Sequence, residues 1–166
     1  PSNVFLVGAL GLDGIDNIDF LSKKELEEAL EIKFRTKNLL ITFHPVTLEK
    51  NQSSKQMKEL LLALDELEST NLIFTMPNSD PGNNDIYQNI YKFVEKNLNT
   101  YLFKSLGRET YYNLLRYVDA VVGNSSSGIL EVPYFRIPTI NIGDRQKGSL
   151  TAKSIINTKN NSDDIS

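Results

Sequence analysis

Apolar residues along this chain follow two patterns that take turns. Short unbroken runs stand at Asn3–Gly8 (NVFLVG), Asn38–Phe43 (NLLITF), Asn71–Met76 (NLIFTM), Thr100–Phe103, Ala120–Val122 and Pro138–Ile142 (PTINI). Runs this short, apolar at successive positions, predict parallel strands buried on both faces. Between them, apolar residues recur every three or four positions, the spacing of one helix face. Ser22-Lys23-Lys24-Glu25 forms a capping box before Leu26, Ala29, Leu30 and Phe34. Met57–Leu67 (MKELLLALDEL) predicts an amphipathic helix, as do Ile86–Leu98 and Arg108–Tyr117. Glu49–Gln56 reads as polar loop, Ser154–Ile156 as a last short strand, and polar Asn157–Ser166 as the start of a further element. Strands and helices alternating with short connections give the fold class as α/β, a Rossmann-like parallel sheet covered by helices on both faces.

The residues with chemical promise all follow predicted strands. After Ala120–Val122 comes Gly123-Asn124-Ser125-Ser126-Ser127-Gly128, and then Ile129-Leu130-Glu131-Val132 reads as a first helical turn. Strand, small-residue turn and helix is an arrangement that presents unpaired N–H groups to an anion. Serine hydroxyls can add further bonds, although a serine here could equally be an ordinary N-cap. Glu131, one turn in, is better placed to grip neutral hydroxyls such as those of a ribose than to share a phosphate. After Pro138–Ile142 comes Gly143-Asp144-Arg145-Gln146-Lys147-Gly148, where Arg145 offers a fork for phosphate and Lys147 a point charge. His44-Pro45 ends the run at Asn38–Phe43; such a histidine is either a satisfied structural residue or a ligand-edge group. Pro77-Asn78 opens a turn-rich loop whose position also suits a ligand, making Asn78 a substrate-contact candidate. Gly8, Gly11 and Gly14 follow the first run but do not fit the G-x-G-x-x-G fingerprint, so they read as a flexible turn. Tyr87 and Tyr91 read as packing residues.

The segment NSSSGILEVPYFRIPTINIGDRQKG closely resembles the UDP-N-acetylglucosamine 2-epimerase family. The likeness is strongest to the hydrolysing branch that supplies N-acetylmannosamine for sialic acid synthesis. That branch has a serine-rich turn, a helix-borne Glu and an INIGxRQxGR-like segment. The resemblance extends upstream through Phe43-His44-Pro45, Pro77-Asn78 and Val7-Gly8, nearly the whole chain. Ser149 departs from it, standing where the family usually has Arg. The resemblance implies one half of a glycosyltransferase-B type architecture, in which two Rossmann-like domains face each other across a cleft. Residues 1–166 then form the C-terminal, UDP-binding domain, a fragment without its N-terminal partner. It further implies His44 as a catalytic group near sugar and diphosphate, and Ser125, Ser126, Ser127, Gly128 and Arg145 on the diphosphate. Glu131 would hold the ribose, and backbone groups of Leu106 and Gly107 the uracil. The implied reaction takes UDP-N-acetylglucosamine to N-acetylmannosamine and UDP by elimination and hydration, with the isolated domain inactive.

Composition narrows the partners. At 166 residues the chain is one domain with room for a substantial core. A net charge of −3 argues against a general nucleic-acid binder. With no cysteine and one histidine, disulfides, thiolate chemistry and a zinc site are not expected, and no metal or cofactor is called for. No apolar run approaches the ~20 residues of a membrane span. The expectation is a cytoplasmic protein binding UDP-N-acetylglucosamine or UDP, with no nucleic-acid or membrane partner and homo-oligomeric at full length. Two other classes stay open: the nucleotide-sugar half of a glycosyltransferase of the same architecture, and a non-catalytic nucleotide-binding module.

Overall fold

The computed structural model describes residues 3, 5, 7–45, 53–76 and 84–166. Six strands form one sheet: β1 Lys37–Thr42, β2 Thr70–Thr75, β3 Thr100–Phe103, β4 Ala120–Gly123, β5 Thr139–Ile142 and β6 Ile155–Thr158. Every pairing is parallel, in the order β3-β2-β1-β4-β5-β6. The helices are α1 Lys23–Leu30, α2 Ser53–Asp65, α3 Asn84–Lys96, α4 Gly107–Leu115, α5 Ser126–Leu130 and α6 Ser162–Ile165.

Side chains alternate across a strand, so an apolar run long enough to fill both faces serves two cores. Ile41, Phe74 and Val122 point to one face, where Met57, Leu60 and Leu64 of α2 and Ile86, Ile90 and Phe93 of α3 cover them. Their neighbours Leu40, Ile73 and Val121 point to the other, under Leu26 of α1 and Tyr112, Leu114 and Leu115 of α4. Each fully buried side chain of this size contributes about 1.5–3 kcal/mol. The expected α/β fold class with both faces covered is therefore the one observed.

The chain winds outward from β1 to β3, then returns through α4 to lay β4 on the other side of β1. Between β1 and β4 the strand order reverses, the point at which open α/β sheets carry a ligand crevice beyond the strand ends. At the end of this pair Thr42 stands opposite Gly123. Gly123 has a φ of 146°, and a Cβ there would overlap the Thr42 carbonyl oxygen. Only glycine lets the two strand ends come this close.

Five local expectations need correction. The apolar run at residues 3–8 is not a strand at any of its described residues; Phe5 and Val7 are 78% and 70% exposed. A strand needs a neighbour for its N–H and C=O groups, and neither edge strand of the sheet pairs with this segment. The glycine-rich stretch after it forms two 3₁₀ turns, Leu10–Leu12 and Ile15–Asn17. The helix expected from Met57 begins at Ser53, because buried Ser53 lies on the same stripe as Met57, Leu60 and Leu64. The helix expected from Ile129 begins at Ser126 and stops at Leu130, where Pro133 then starts a 3₁₀ turn over Val132–Phe135. The final strand lies at Ile155–Thr158, one residue later than read and reaching two residues further, followed by the short α6. The capping box of α1 forms as expected: Glu25 N–H donates to Ser22 Oγ at 3.3 Å and Ser22 N–H to Glu25 Oε2 at 2.8 Å. The Ser22 bonds hold the Glu25 carboxyl below its ordinary range.

Candidate functional site

The carboxyl ends of β1 to β4 open onto a cleft of about 1510 Å³. His44 enters it from the end of β1, Met76 from β2, Leu106 and Gly107 from β3, and Ser125 and Ser127 from β4. Tyr87 and Tyr91 of α3, read from the sequence as packing residues, line a wall of the cleft instead, and Tyr91 is half exposed. Gly11 and Asp13 of the N-terminal segment close one side. They are held there by Arg108, whose guanidinium donates to the Asp13 carbonyl and, at 3.4 Å, to that of Gly11. The Tyr112 hydroxyl also donates to the Gly11 carbonyl.

Asn124 organises the crevice. Its side chain is 1% exposed. The His44 N–H donates to Asn124 Oδ1 at 2.7 Å, and Asn124 Nδ2 donates to the His44 carbonyl at 2.8 Å. One amide thus satisfies both backbone groups of the residue that follows β1 by two positions. The Asn124 N–H donates to the Thr42 carbonyl at 3.2 Å. Its own carbonyl accepts from Arg145 Nη1 at 3.0 Å and Gln146 Nε2 at 2.9 Å. The ends of β1, β4 and β5 are bolted together through this residue.

The serine turn divides its labour. Ser125 is the N-cap of α5, accepting from Ser127 N–H at 3.4 Å. Ser126 is exposed and does not line the cleft. Gly128 is buried, and its carbonyl accepts from Thr139 Oγ1 at 2.8 Å, so it faces β5. Ser127 donates to Glu131 Oε2 at 3.0 Å and is also hydrogen-bonded to the Tyr111 hydroxyl. Glu131 lies at the C-cap of α5 and lines the cleft. Burial pushes the Tyr111 phenol well above its ordinary range, with the Glu131 carboxylate adding to the effect.

The cleft therefore brings together six of the residues singled out from the sequence: His44, Leu106, Gly107, Ser125, Ser127 and Glu131. The Gly107 N–H, offered as a uracil donor, is taken by Ser105 Oγ at 3.3 Å. Ser126, Gly128 and Arg145 stand off the cleft lining. Asn78 lies outside the described residues. The sequence reading missed Asn124, Tyr111 and Arg108 as site-building residues. For Asn124 a signal existed, since it sits at the strand end beside three serines. Among the described residues no group of three or more His, Cys, Asp or Glu converges as a metal site would require. No helix among them is long and apolar enough to cross a membrane.

Known proteins are similar to this chain in sequence and in fold. The model of a family described as UDP-N-acetylglucosamine 2-epimerase matches residues 1–166. A GDP/UDP-N,N'-diacetylbacillosamine 2-epimerase (hydrolyzing) of Campylobacter jejuni is 44% identical over 159 residues, 95% of this chain and 41% of that protein. A polysialic acid biosynthesis protein of Escherichia coli is 35% identical over 160 residues, 94% of this chain and 40% of that protein. Among solved structures, a complex of MnaA with UDP from S. aureus superposes with a TM-score of 0.72 at 16% identity, over 99% of this chain and 43% of that one. The chain spans about two-fifths of the length of the curated relatives it matches. The family model matches every residue of the chain, and the relative at 44% identity covers nearly all of it: this chain belongs to the UDP-N-acetylglucosamine 2-epimerase family.

Proposed function

We propose that this chain is the nucleotide-binding half of a hydrolysing 2-epimerase that releases UDP from a UDP-2-acetamido sugar. The observation that carries the reading is the convergence of His44, Ser125, Ser127 and Glu131 on one cleft at the reversal point of the sheet. In this reading Glu131 accepts from ribose hydroxyls and the Leu106–Gly107 loop lies against the base. The turn after β4 and Arg145, one side of whose guanidinium is anchored on Asn124, take the diphosphate. The reaction removes the proton at C2 and expels UDP from C1, giving a 2-acetamidoglucal. Water then adds at C1 and a proton at C2, releasing the epimerised sugar. His44, the imidazole that follows the end of β1, assists departure of the diphosphate. The carboxylates that handle the C2 proton come from a facing domain. The whole protein works in the cytoplasm as a homo-oligomer, and its product serves sialic acid synthesis when the sugar is N-acetylglucosamine.

The relative at 44% identity favours a second substrate, since its name specifies a sugar with two acetamido groups and admits GDP as well as UDP. The test is to incubate the full-length protein with UDP-N-acetylglucosamine and with UDP- and GDP-N,N'-diacetylbacillosamine, following free sugar and nucleotide by NMR. Release of a 2-epimerised free sugar from one of them supports the reading, and the preferred donor settles the second question. His44→Ala should lower turnover by about 100-fold or more while changing UDP affinity much less. A folded variant with near wild-type turnover removes His44 from the mechanism, and transfer to an acceptor sugar instead of free product sinks the epimerase reading.

A further inference from the structure

Three side chains at the floor of the cleft form a hydrogen-bonded chain with a fixed direction. A carboxylate only accepts, so the Ser127 hydroxyl proton points to Glu131 Oε2 at 3.0 Å. A serine hydroxyl has one proton, so Ser127 can bond Tyr111 only by accepting from it, and the Tyr111 hydroxyl is the donor. The other carboxylate oxygen is confined as well. Gly11 lies so close that a Cβ there would overlap Glu131 Oε1. The Gly11 carbonyl is in turn held by Tyr112 and Arg108 of α4. Glu131 is thus held from two sides by groups that α4 positions, and it lines the cleft.

We infer that Tyr111 and Ser127 are positioning residues that hold Glu131 in the one orientation able to accept from both hydroxyls of a ribose, making the chain Tyr111–Ser127–Glu131 the device that selects ribonucleotides. The inference rests on Glu131 being the ribose acceptor. It gives Ser127 a different task from the diphosphate contact read from sequence, because its single proton is committed to the carboxylate. The buried phenol stays protonated across the working range, so the donor at the head of the chain is always available. A carboxylate free to rotate would pay the ordering cost on binding; one held in advance does not.

The experiment is calorimetric titration of the protein with UDP, 2′,3′-dideoxy-UDP and pyrophosphate, taking the ratio of the first two affinities as the readout. Tyr111→Phe, nearly isosteric, should cut the ribose preference by about 2- to 10-fold, the range of one neutral hydrogen bond. Ser127→Ala should cut it by a similar factor, and Tyr111→Phe with Ser127→Ala should lose little more, since both break one chain. Pyrophosphate affinity should not move in any of them, and circular dichroism checks that each variant is folded. If Glu131→Gln abolishes the preference while Tyr111→Phe and Ser127→Ala leave it intact, positioning is refuted and the ribose assignment stands. If Glu131→Gln leaves the preference intact, the ribose assignment fails and the positioning inference with it. A loss of pyrophosphate affinity in Ser127→Ala returns that serine to the diphosphate and also overturns the inference.

Discussion

The turn after β4 and the loop after β5 follow neighbouring parallel strands, and both carry polar sequences that suit a phosphate, yet they are built in opposite ways. In the first, polar groups are spent inside the protein: Asn124 on the His44 backbone, Ser125 on Ser127 N–H, Ser127 on Glu131. In the second, Asp144, Arg145, Lys147, Gly148 and Ser149 are exposed. Asp144 and Lys147 pair with each other at 3.7 Å while both remain mostly in water. The two meet only where Arg145 and Gln146 donate to the Asn124 carbonyl. One loop supplies fixed geometry and the other solvated charge. Preorganised donors and acceptors act without reorganisation when a ligand arrives. Solvated cations chiefly attract it, in a way that salt screens.

The largest expected effect breaks the fixed loop at its centre. Asn124→Ala leaves the N–H and carbonyl of His44 without the amide that served them. Each unpaired, largely buried group costs about 1–3 kcal/mol, and His44 is only partly buried. We expect a loss of about 2–4 kcal/mol and a fall in Tm of roughly 5–15 °C. Chemical denaturation and a thermal melt check it. A variant within 0.5 kcal/mol of wild type would show that the strand ends are held by something other than this amide.

That asymmetry explains what could be read in advance. The strands β1 to β4 were legible to within a residue or two because two-sided burial writes a mostly apolar run, and β5 was legible although Thr139 and Asn141 alternate with its isoleucines. The run at residues 3–8 carries the same signature, yet none of its described residues is in a strand, and no local pattern distinguishes the two cases. Ser53 was hidden because a small polar residue on a buried stripe looks like loop. At the site, His44 could be singled out because it follows the end of β1, and Glu131 because it lies one turn into the helix after the serine turn. Asn124 was visible as a residue but not as a clamp, since its partner lies 80 positions away. Tyr111 was hidden behind helix periodicity, and its bond to Ser127 exists only once α4 packs beside the turn after β4. Gly11 meets Glu131 only after Arg108 and Tyr112 fix the N-terminal segment. Side-chain bonds between elements are products of tertiary packing, and motif reading assigned Ser125, Ser127 and Glu131 wholly to the ligand.

A smaller effect probes the fixed loop through its buried phenol. Burial raises the Tyr111 phenol above the ordinary value of 10.0, with the nearby Glu131 and Tyr112 adding to the rise and the Ser127 bond opposing it. The folded protein therefore keeps this proton when the unfolded chain has lost it. Stability from this group is fully present below pH 10 and declines as pH rises toward the folded value. Comparing the pH dependence of unfolding for wild type and Tyr111→Phe isolates it from the other tyrosines. The wild type should lose stability more steeply above pH 10 than the variant does. Parallel curves would mean that the phenol is more hydrated than its surroundings indicate.

The smallest effects belong to the solvated loop. Asp144→Asn removes one partner of an ion pair whose side chains are 78% and 86% exposed. Exposed pairs contribute little, so the stability change should stay within about 0.5 kcal/mol. Arg145→Ala should cost about as little in stability but weaken pyrophosphate and UDP binding. For Asp144→Asn the sign on binding is opposite. A negative charge leaves the neighbourhood of Arg145 and Lys147, so pyrophosphate affinity should rise by about 2-fold at low salt and by almost nothing near 1 M, where the screening length is ~3 Å. Titrations at two ionic strengths measure it. If the gain persists at high salt, Asp144 acts through short-range contacts and the loop is more rigidly built than its exposure implies. If Asp144→Asn instead destabilises the fold as strongly as Asn124→Ala, the division between a geometric loop and an electrostatic one fails.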